Sequence, residues 1–416
     1  MQLSRRVLSL KTSSTLAVTN RAKALVRQGI DVIPFAAGEP DFDTPAVVKE
    51  AAIGALRAGQ TKYMPTAGDP ETRQVIAEKL DRENAISGVT AEHVVITTGG
   101  KHAIYLVLQA LLDRPPAGEA APEVLLPVPA WVSYDPIARM CGANVVEIPT
   151  EARSGFKMTP EQLRGAITAR ARVLVMNSPS NPCGTMYSPR ELKALGAVVA
   201  DAARTVAPDL VVVTDEIYEK IVYGEAPHFS MGAIPEIAER TVTINGLSKA
   251  FAMTGWRVGY LAGSGAWGLE LARAAEKLQG QMTTNITSFV YPAIRVALTR
   301  CGDDVERMRL AFKRRAELIY GEVSKIPELV CPRPTGAFYV FPDVSAYFGR
   351  TTAGGRAARS AQEMAEAILE EARVAVVPGE DFGGCGRDHI RLSFACADEK
   401  IIEGMGRLRS FFGTCR

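Results

Sequence analysis

The 416-residue sequence predicts an α/β fold: a mainly parallel sheet sandwiched by helices, joined to a second, smaller α+β domain. Three observations carry this expectation. Strand-like runs near residues 94, 124, 144, 173, 211, 242 and 258 alternate with helical stretches. Runs such as Leu210-Val211-Val212-Val213 are apolar throughout, as befits parallel strands covered on both faces. After about residue 300 the pattern changes to a long charged helix, a strand-like stretch from Thr335 to Pro342, a loop, another helix and Arg391-Leu392-Ser393-Phe394.

In chain order, residues 1–46 are expected to form an N-terminal segment packing with the small domain, 47–300 the large domain and 301–416 the small one. Proline near the start and glycine past the end bracket a helix between Pro45 and Gly59, and Asp69-Pro70 opens the next. Capping boxes are expected at Thr159-Pro160-Glu161-Gln162 and Ser188-Pro189-Arg190-Glu191. Arg114 to Pro122 and Gly349 to Arg356 are rich in proline or glycine and read as exposed loops. No internal repeat is present.

Composition narrows the class. With 47% hydrophobic residues and a formal net charge of +2, the chain can bury a large core and has no electrostatic bias toward nucleic acid. Seven cysteines, an odd number without a Cys-x-x-Cys pair, suggest neither a disulfide framework nor a zinc site, and the four histidines stand singly. A reducing cytoplasm is the expected location. Ser4-Arg5-Arg6 superficially resembles a twin-arginine signal, but no sustained apolar stretch follows, and no run is long enough to span a bilayer.

The chemistry is concentrated in Ser248-Lys249-Ala250-Phe251-Ala252-Met253-Thr254-Gly255-Trp256-Arg257, after the strand-like Thr241–Asn245. A lysine delivered to a buried strand end, partly desolvated and near other cations, is a stronger nucleophile because its charged form is disfavoured. Arg257 supplies a planar fork for a phosphate. The implied ligand is an aldehyde that carries a phosphate, which describes pyridoxal 5′-phosphate. Such a ligand needs an acid facing its ring nitrogen, a donor to its phenolic oxygen, a flat group on its face and a phosphate cradle.

Each has a candidate. Asp215 ends the apolar run 210–213 where ligands of open α/β sheets bind, although an aspartate there can also cap a following helix. Tyr218, three residues on, could donate to the phenolic oxygen, and Asn181, in the proline-fixed Asn177-Ser178-Pro179-Ser180-Asn181-Pro182, could do so from the opposite side. Trp131 follows another strand and could stack on the ring. Gly99 and Gly100 stand at a strand-to-helix turn, where backbone N–H groups approach an anion, and Ser248 adds a hydroxyl.

Ser248-Lys249 with Gly255-Trp256-Arg257-Val258-Gly259-Tyr260, Asn177 to Pro182 and Asp215-Glu216-Ile217-Tyr218 together resemble the class I aminotransferases, pyridoxal-phosphate enzymes of fold type I, over nearly the whole chain. The resemblance implies Lys249 as the residue joined to the cofactor, Asp215 opposite the pyridine nitrogen, Asn181 and Tyr218 on the phenolic oxygen and Trp131 on the ring. It places Gly99, Gly100, Lys101, Ser248 and Arg257 around the phosphate. Tyr63 resembles a tyrosine that reaches the phosphate from the neighbouring subunit, implying a homodimer with shared sites. Arg391 matches an arginine that grips the substrate α-carboxylate, with the Gly38 backbone N–H beside it.

The first hundred residues resemble bacterial and plant aspartate aminotransferases, including an aspartate/prephenate subgroup. There, residues matching Thr15 and Lys101 contact the distal carboxylate, and a basic residue matching Lys11 favours prephenate. Two positions depart from that pattern: Ala130 replaces a common tyrosine and Cys183 a common threonine. The resemblance implies ping-pong transamination between L-aspartate or a related amino acid and 2-oxoglutarate or another 2-oxo acid, with Lys249 as general base and acid. The alternatives are an aminotransferase for another amino acid, a lyase or decarboxylase on the same lysine, and a regulatory domain of this fold.

Overall fold

The computed structural model describes residues 2–8, 10, 14–116 and 118–416, apart from the side chains of Arg5, Arg6, Ser14, Thr15 and Leu16. Seven strands form the principal sheet: β1 (Val94–Thr97), β2 (Glu123–Val128), β3 (Asn144–Pro149), β4 (Ala171–Asn177), β5 (Val211–Asp215), β6 (Thr241–Gly246) and β7 (Gly259–Gly263), in the order β1-β7-β6-β5-β4-β2-β3. The pairings from β6 to β3 are parallel and β7 is antiparallel to both its neighbours, so β7 alone runs against the rest. The carboxyl ends of the other six strands therefore share one edge, and β7 begins there. That shared edge collects the candidate residues from distant parts of the chain.

Period-two alternation sorts the strand side chains between two helical layers. Val124, Val173, Val213 and Val242 pack with the helices Gly100–Leu111, Tyr134–Met140 and Gly265–Gly280. Leu125, Leu174, Met176 and Val212 pack on the other face with Pro160–Ala166 and Pro189–Thr205. Both capping boxes form: Thr159 and Ser188 accept from the N–H groups of Gln162 and Glu191, whose side chains reach back. Asp69 caps the helix Pro70–Asn84 through the Thr72 N–H, and Ala46–Arg57 forms between the proline and glycine that bracket it.

A second sheet orders β8 (Tyr339–Val340), β10 (Ile390–Ser393) and β9 (Val377–Pro378), all antiparallel, beside the 22-residue helix Gly302–Val323. β8 is much shorter than the strand-like stretch Thr335–Pro342 suggests. Ala337 adopts the left-handed conformation (φ 54°), and Gly336 packs too closely on Pro179 for a side chain. The segment 33–38 crosses between the sheets. Ile33 bridges Val374, the Phe35 carbonyl accepts from the Ser393 N–H, and Ala22, Val32 and Ala36 pack with Leu369, Ala375 and Val377.

Behind the sheet edge lies a buried polar network. Alternation that sends Asp215 to the side of Val213 sends Glu216 the other way, with Thr214, whose hydroxyl donates to it. There Lys79 pairs with Glu219 and donates to Asn84 Oδ1, while the Asn84 amide and Ser230 hydroxyl complete the carboxylates' bonds. Glu216, Glu219 and His228 lie close enough to hold a cation, and the Lys79 ammonium is bound within that cluster. Burial raises the Glu219 carboxyl, but Lys79, His228 and Lys220 together outweigh it, Lys79 most of the three, and hold the group at about 2. Lys79→Met, which strands this carboxylate, is expected to destabilise the fold by about 3–5 kcal/mol in urea denaturation. Adding Glu219→Gln should recover most of that loss; a single variant within 1 kcal/mol of wild type, below about a third of the lower bound, would contradict the pairing.

Candidate active site

Lys249 stands three residues past the end of β6, in a turn where Ala252 and Arg257 are left-handed at φ 52° and 56°. Such conformations cost about 1–3 kcal/mol each and persist where surrounding structure demands them. The Lys249 ammonium donates to the Gly38 carbonyl at 2.5 Å and lies 5.7 Å from the centre of the Phe338 ring. Burial lowers its pKa to about 8, and the positive charges of Arg391 and Arg257 add to that, against the opposing pull of Glu39. The amine is therefore partly neutral near physiological pH, unlike a solvated lysine.

Asp215 closes β5 with both carboxylate oxygens engaged. The Tyr134 hydroxyl donates to Oδ2 at 2.8 Å and the Ile217 N–H to Oδ1 at 3.1 Å. A turn, not a helix for it to cap, follows Asp215, and the Ile217 N–H bond that closes the turn occupies one oxygen only. Burial pushes the Asp215 carboxyl up to about 6, although Tyr134 and Ile217 work against the rise. A cationic partner placed here would be strongly favoured, because it would restore charge balance in a desolvated pocket.

Trp131 follows β2, with the Tyr134 ring edge-on at 5.2 Å and the Lys101 ammonium 5.0 Å from its ring centre. Burial lowers the pKa of Lys101, as does Arg257 nearby. Gly99 is left-handed (φ 83°) at the N-terminus of the helix that Gly100 begins, and a Cβ there would stand 2.5 Å from Arg257 Nη2. Only glycine lets the guanidinium pack this closely on the helix N-terminus, and a cation beside a helix N-terminus is the combination an anion favours. Ser248 is buried beside Lys249. Four cations, Lys101, Lys249, Arg257 and Arg391, lie close enough to perturb one another in the pairs named here.

Arg391 is 3% exposed and lies across the site from the sheet edge. Its Nη1 donates to Asn181 Oδ1 and its Nη2 to the Ala36 carbonyl, each at 3.1 Å, while Nε is buried without a partner among the described residues. Tyr218 is buried, with its hydroxyl 2.9 Å from that of Tyr339. Gly38 approaches the same Tyr339 hydroxyl so closely that a Cβ would be 3.1 Å from it. Tyr63 is 88% exposed and makes no part of this cluster within the described chain. Lys11 lies outside the described residues, and so does the Thr15 side chain.

Comparison with known proteins decides the family. Residues 30–408 match the family described as aminotransferase class I and II. The chain belongs to this family. The aminotransferase is 41% identical to an aspartate aminotransferase of Geobacillus stearothermophilus and 42% identical to an aspartate/prephenate aminotransferase of Thermus thermophilus, each alignment covering 99% of both chains. Among solved structures, the Thermus thermophilus aspartate aminotransferase with maleate superposes with a TM-score of 0.88 at 42% identity, covering 99% of each chain. An aspartate aminotransferase of Rhizobium meliloti superposes at 0.92 with 35% identity over the full length of both.

Two residues of the aminotransferase escaped the sequence reading. Tyr134 lies in Trp131-Val132-Ser133-Tyr134, where its three-residue spacing from the tryptophan marks a common helical face but not its bond to Asp215, 81 residues away. Tyr339 sits in an aromatic strand that looks like core. Of the two unusual residues, Cys183 is a buried thiol whose pKa burial raises, packed with Phe156, Phe341 and Phe382, and Ala130 is buried with its N–H bonded to the Phe382 carbonyl. Neither presents a reactive group. No helix among the described residues is long and apolar enough to cross a membrane.

Proposed function

We propose that this aminotransferase uses pyridoxal 5′-phosphate to move the amino group of L-aspartate, or a related dicarboxylic amino acid, to 2-oxoglutarate or another 2-oxo acid, with prephenate as a further acceptor. The observation that carries the reading is the convergence of Lys249 and Arg391 on one short stretch of backbone. Their side chains donate to the carbonyls of Gly38 and Ala36, which sets an amine of depressed pKa beside a buried guanidinium with an unsatisfied N–H. An amino acid has the matching parts, an acidic Cα–H next to a carboxylate.

The donor set fits the cofactor. Lys249 would anchor it, Asp215 would face its pyridine nitrogen, and Tyr218 and Asn181 would meet its phenolic oxygen. Trp131 would cover its face, with Gly99, Gly100, Lys101, Ser248 and Arg257 about its phosphate. When bound, the group supplies an aldehyde and an electron-accepting ring that stabilises negative charge at the substrate Cα. The residues do the rest. Arg391 would fix the α-carboxylate through its fork, and Asn181 Oδ1 steers that fork by accepting from Nη1. Lys249, as a neutral amine, would take the Cα proton and return it to the carbon on the other side of the substrate nitrogen, two bonds away. Asp215 stays anionic in use because its partner is cationic, and Tyr134 supports that state.

Lys101 supports a dicarboxylic preference, since it is a cation held over Trp131 that an apolar substrate side chain would leave unpaired. The names of the Geobacillus and Thermus relatives point the same way. The exposed Tyr63 supports a homodimer in which it completes the partner's phosphate site. Seven free cysteines suit the cytoplasm. The test is a panel of oxaloacetate, 2-oxoglutarate, phenylpyruvate and prephenate presented to the purified pyridoxamine form. Dicarboxylic acceptors should react at least about tenfold faster than phenylpyruvate, the discrimination expected where a site charge is left unpaired. Reaction with monocarboxylic acceptors only would overturn the substrate assignment.

A further inference from the structure

Resting on the cofactor reading above, we infer that Tyr339 is a positioning residue: its hydroxyl sets the direction in which Tyr218 donates, while its ring holds the guanidinium of Arg391. One side chain in β8 thus orients two groups that meet different ligands.

The geometry is specific. The hydroxyls of Tyr218 and Tyr339 are 2.9 Å apart, with ring centres at 5.9 Å and planes at 85°. Arg391 Cζ is 4.7 Å from the Tyr339 ring centre and 5.3 Å from that of Phe382, so the guanidinium lies close to both rings. Phe338 packs against both phenol rings, 5.4 Å from Tyr218 and 4.8 Å from Tyr339. Gly38 leaves room for the Tyr339 hydroxyl that a larger residue would take.

Proton counting gives the consequence. Only one O–H can lie between two hydroxyls, so either Tyr218 donates to Tyr339 and has no proton left, or Tyr339 donates and Tyr218 is free to donate outward. Donation to a phenolic oxygen demands the second arrangement. Burial raises the pKa of both phenols, so both protons stay in place at neutral pH. The charged groups facing the pair are Arg391 and Asp215, with Lys249 beside Phe338. Asp215, as a carboxylate, can only accept, whereas Tyr339 carries a hydroxyl proton at hydrogen-bond distance from the Tyr218 oxygen. A bond behind a donor strengthens it.

The test loads wild type, Tyr339→Phe, Tyr218→Phe and the double variant with pyridoxal phosphate and follows the pH midpoint of the visible absorbance. Circular dichroism checks the fold. A weaker donor to the phenolic oxygen disfavours its anion, so Tyr339→Phe should raise the midpoint by about 0.5 unit, a threefold change. Tyr218→Phe should raise it further, and the double variant should match Tyr218→Phe alone, because the Tyr339 hydroxyl acts on the cofactor only through Tyr218. The KM for the amino donor should stay within about twofold for Tyr339→Phe, since the ring beside Arg391 remains. Tyr339→3-fluorotyrosine, a stronger donor of nearly the same size, should lower the midpoint and decides the matter even where the phenylalanine variant misfolds. Titrations of Tyr339→Phe and Tyr339→3-fluorotyrosine that superimpose on wild type, or additive effects in the double variant, overturn the role of Tyr339. Wild type that acquires no visible band overturns the cofactor reading itself, a separate result.

Discussion

Lys249→Ala is expected to lower the turnover of the aminotransferase by about four orders of magnitude or more, because in the proposed mechanism one substitution removes both the anchoring amine and the group that shuttles the proton. The structure explains why this lysine, and not another, is equipped for that work. At a pKa of about 8 instead of the ordinary 10.5, the neutral fraction at pH 7 is about 300-fold larger. Burial does most of this, and Arg391 and Arg257 add their repulsion. The sign follows directly: protonation abolishes the nucleophile, so uptake of pyridoxal phosphate by the ligand-free protein should accelerate as pH rises and level off above about 8. Stopped-flow absorbance measures it. A rate that keeps climbing to pH 10 would mean a solvated amine, and Lys249→Arg, which keeps a cation but never a free amine, should be as inactive as the alanine variant.

How much of this site could be read from the chain depends on how local each signal is. Asp215 and Lys249 are legible because each ends a run of buried β residues, and parallel strands must place such ends on a common edge. Helix caps at Thr159 and Ser188 are legible for the same reason, since the interaction spans three residues. Partners joined through tertiary closure are not. Arg391 meets Ala36 across 355 positions and Tyr218 meets Tyr339 across 121, and no periodicity in the sequence encodes either pairing. The Lys79 network was hidden differently: Glu216 looks like a second carboxylate of the site until the pleat turns it to the opposite face. β8 was overestimated because Phe338 to Phe341 has strand composition, whereas the left-handed Ala337 and the closeness of Gly336 to Pro179 end the regular geometry early.

Arg391→Lys is expected to reduce kcat/KM for the preferred amino donor by about 10²–10³-fold, equivalent to about 2.7–4 kcal/mol, mostly through KM. The charge survives this substitution, so the effect isolates the fork. In the native site two guanidinium nitrogens are committed to Asn181 and Ala36, while Nε is buried with no partner among the described residues. An arginine held this way is oriented before substrate arrives, and of its five N–H donors only two are used by Asn181 and Ala36, so Nε–H and an Nη N–H would remain for the two oxygens of a carboxylate. Lysine has a single nitrogen and cannot keep both protein contacts while presenting a donor to the ligand. It would also leave Asn181 Oδ1 without its donor, freeing an amide proposed to contact the cofactor. Two measurements separate these consequences. Steady-state kinetics with amino donor and 2-oxo acid should show both KM values rising together, because both substrates carry the same α-carboxylate, while the equilibrium binding of pyridoxal phosphate weakens by less than about tenfold, the loss of one hydrogen bond. A variant whose KM values remain within threefold of wild type, against the hundredfold expected of a lost bidentate contact, would place the carboxylate elsewhere and remove Arg391 from the recognition of substrate.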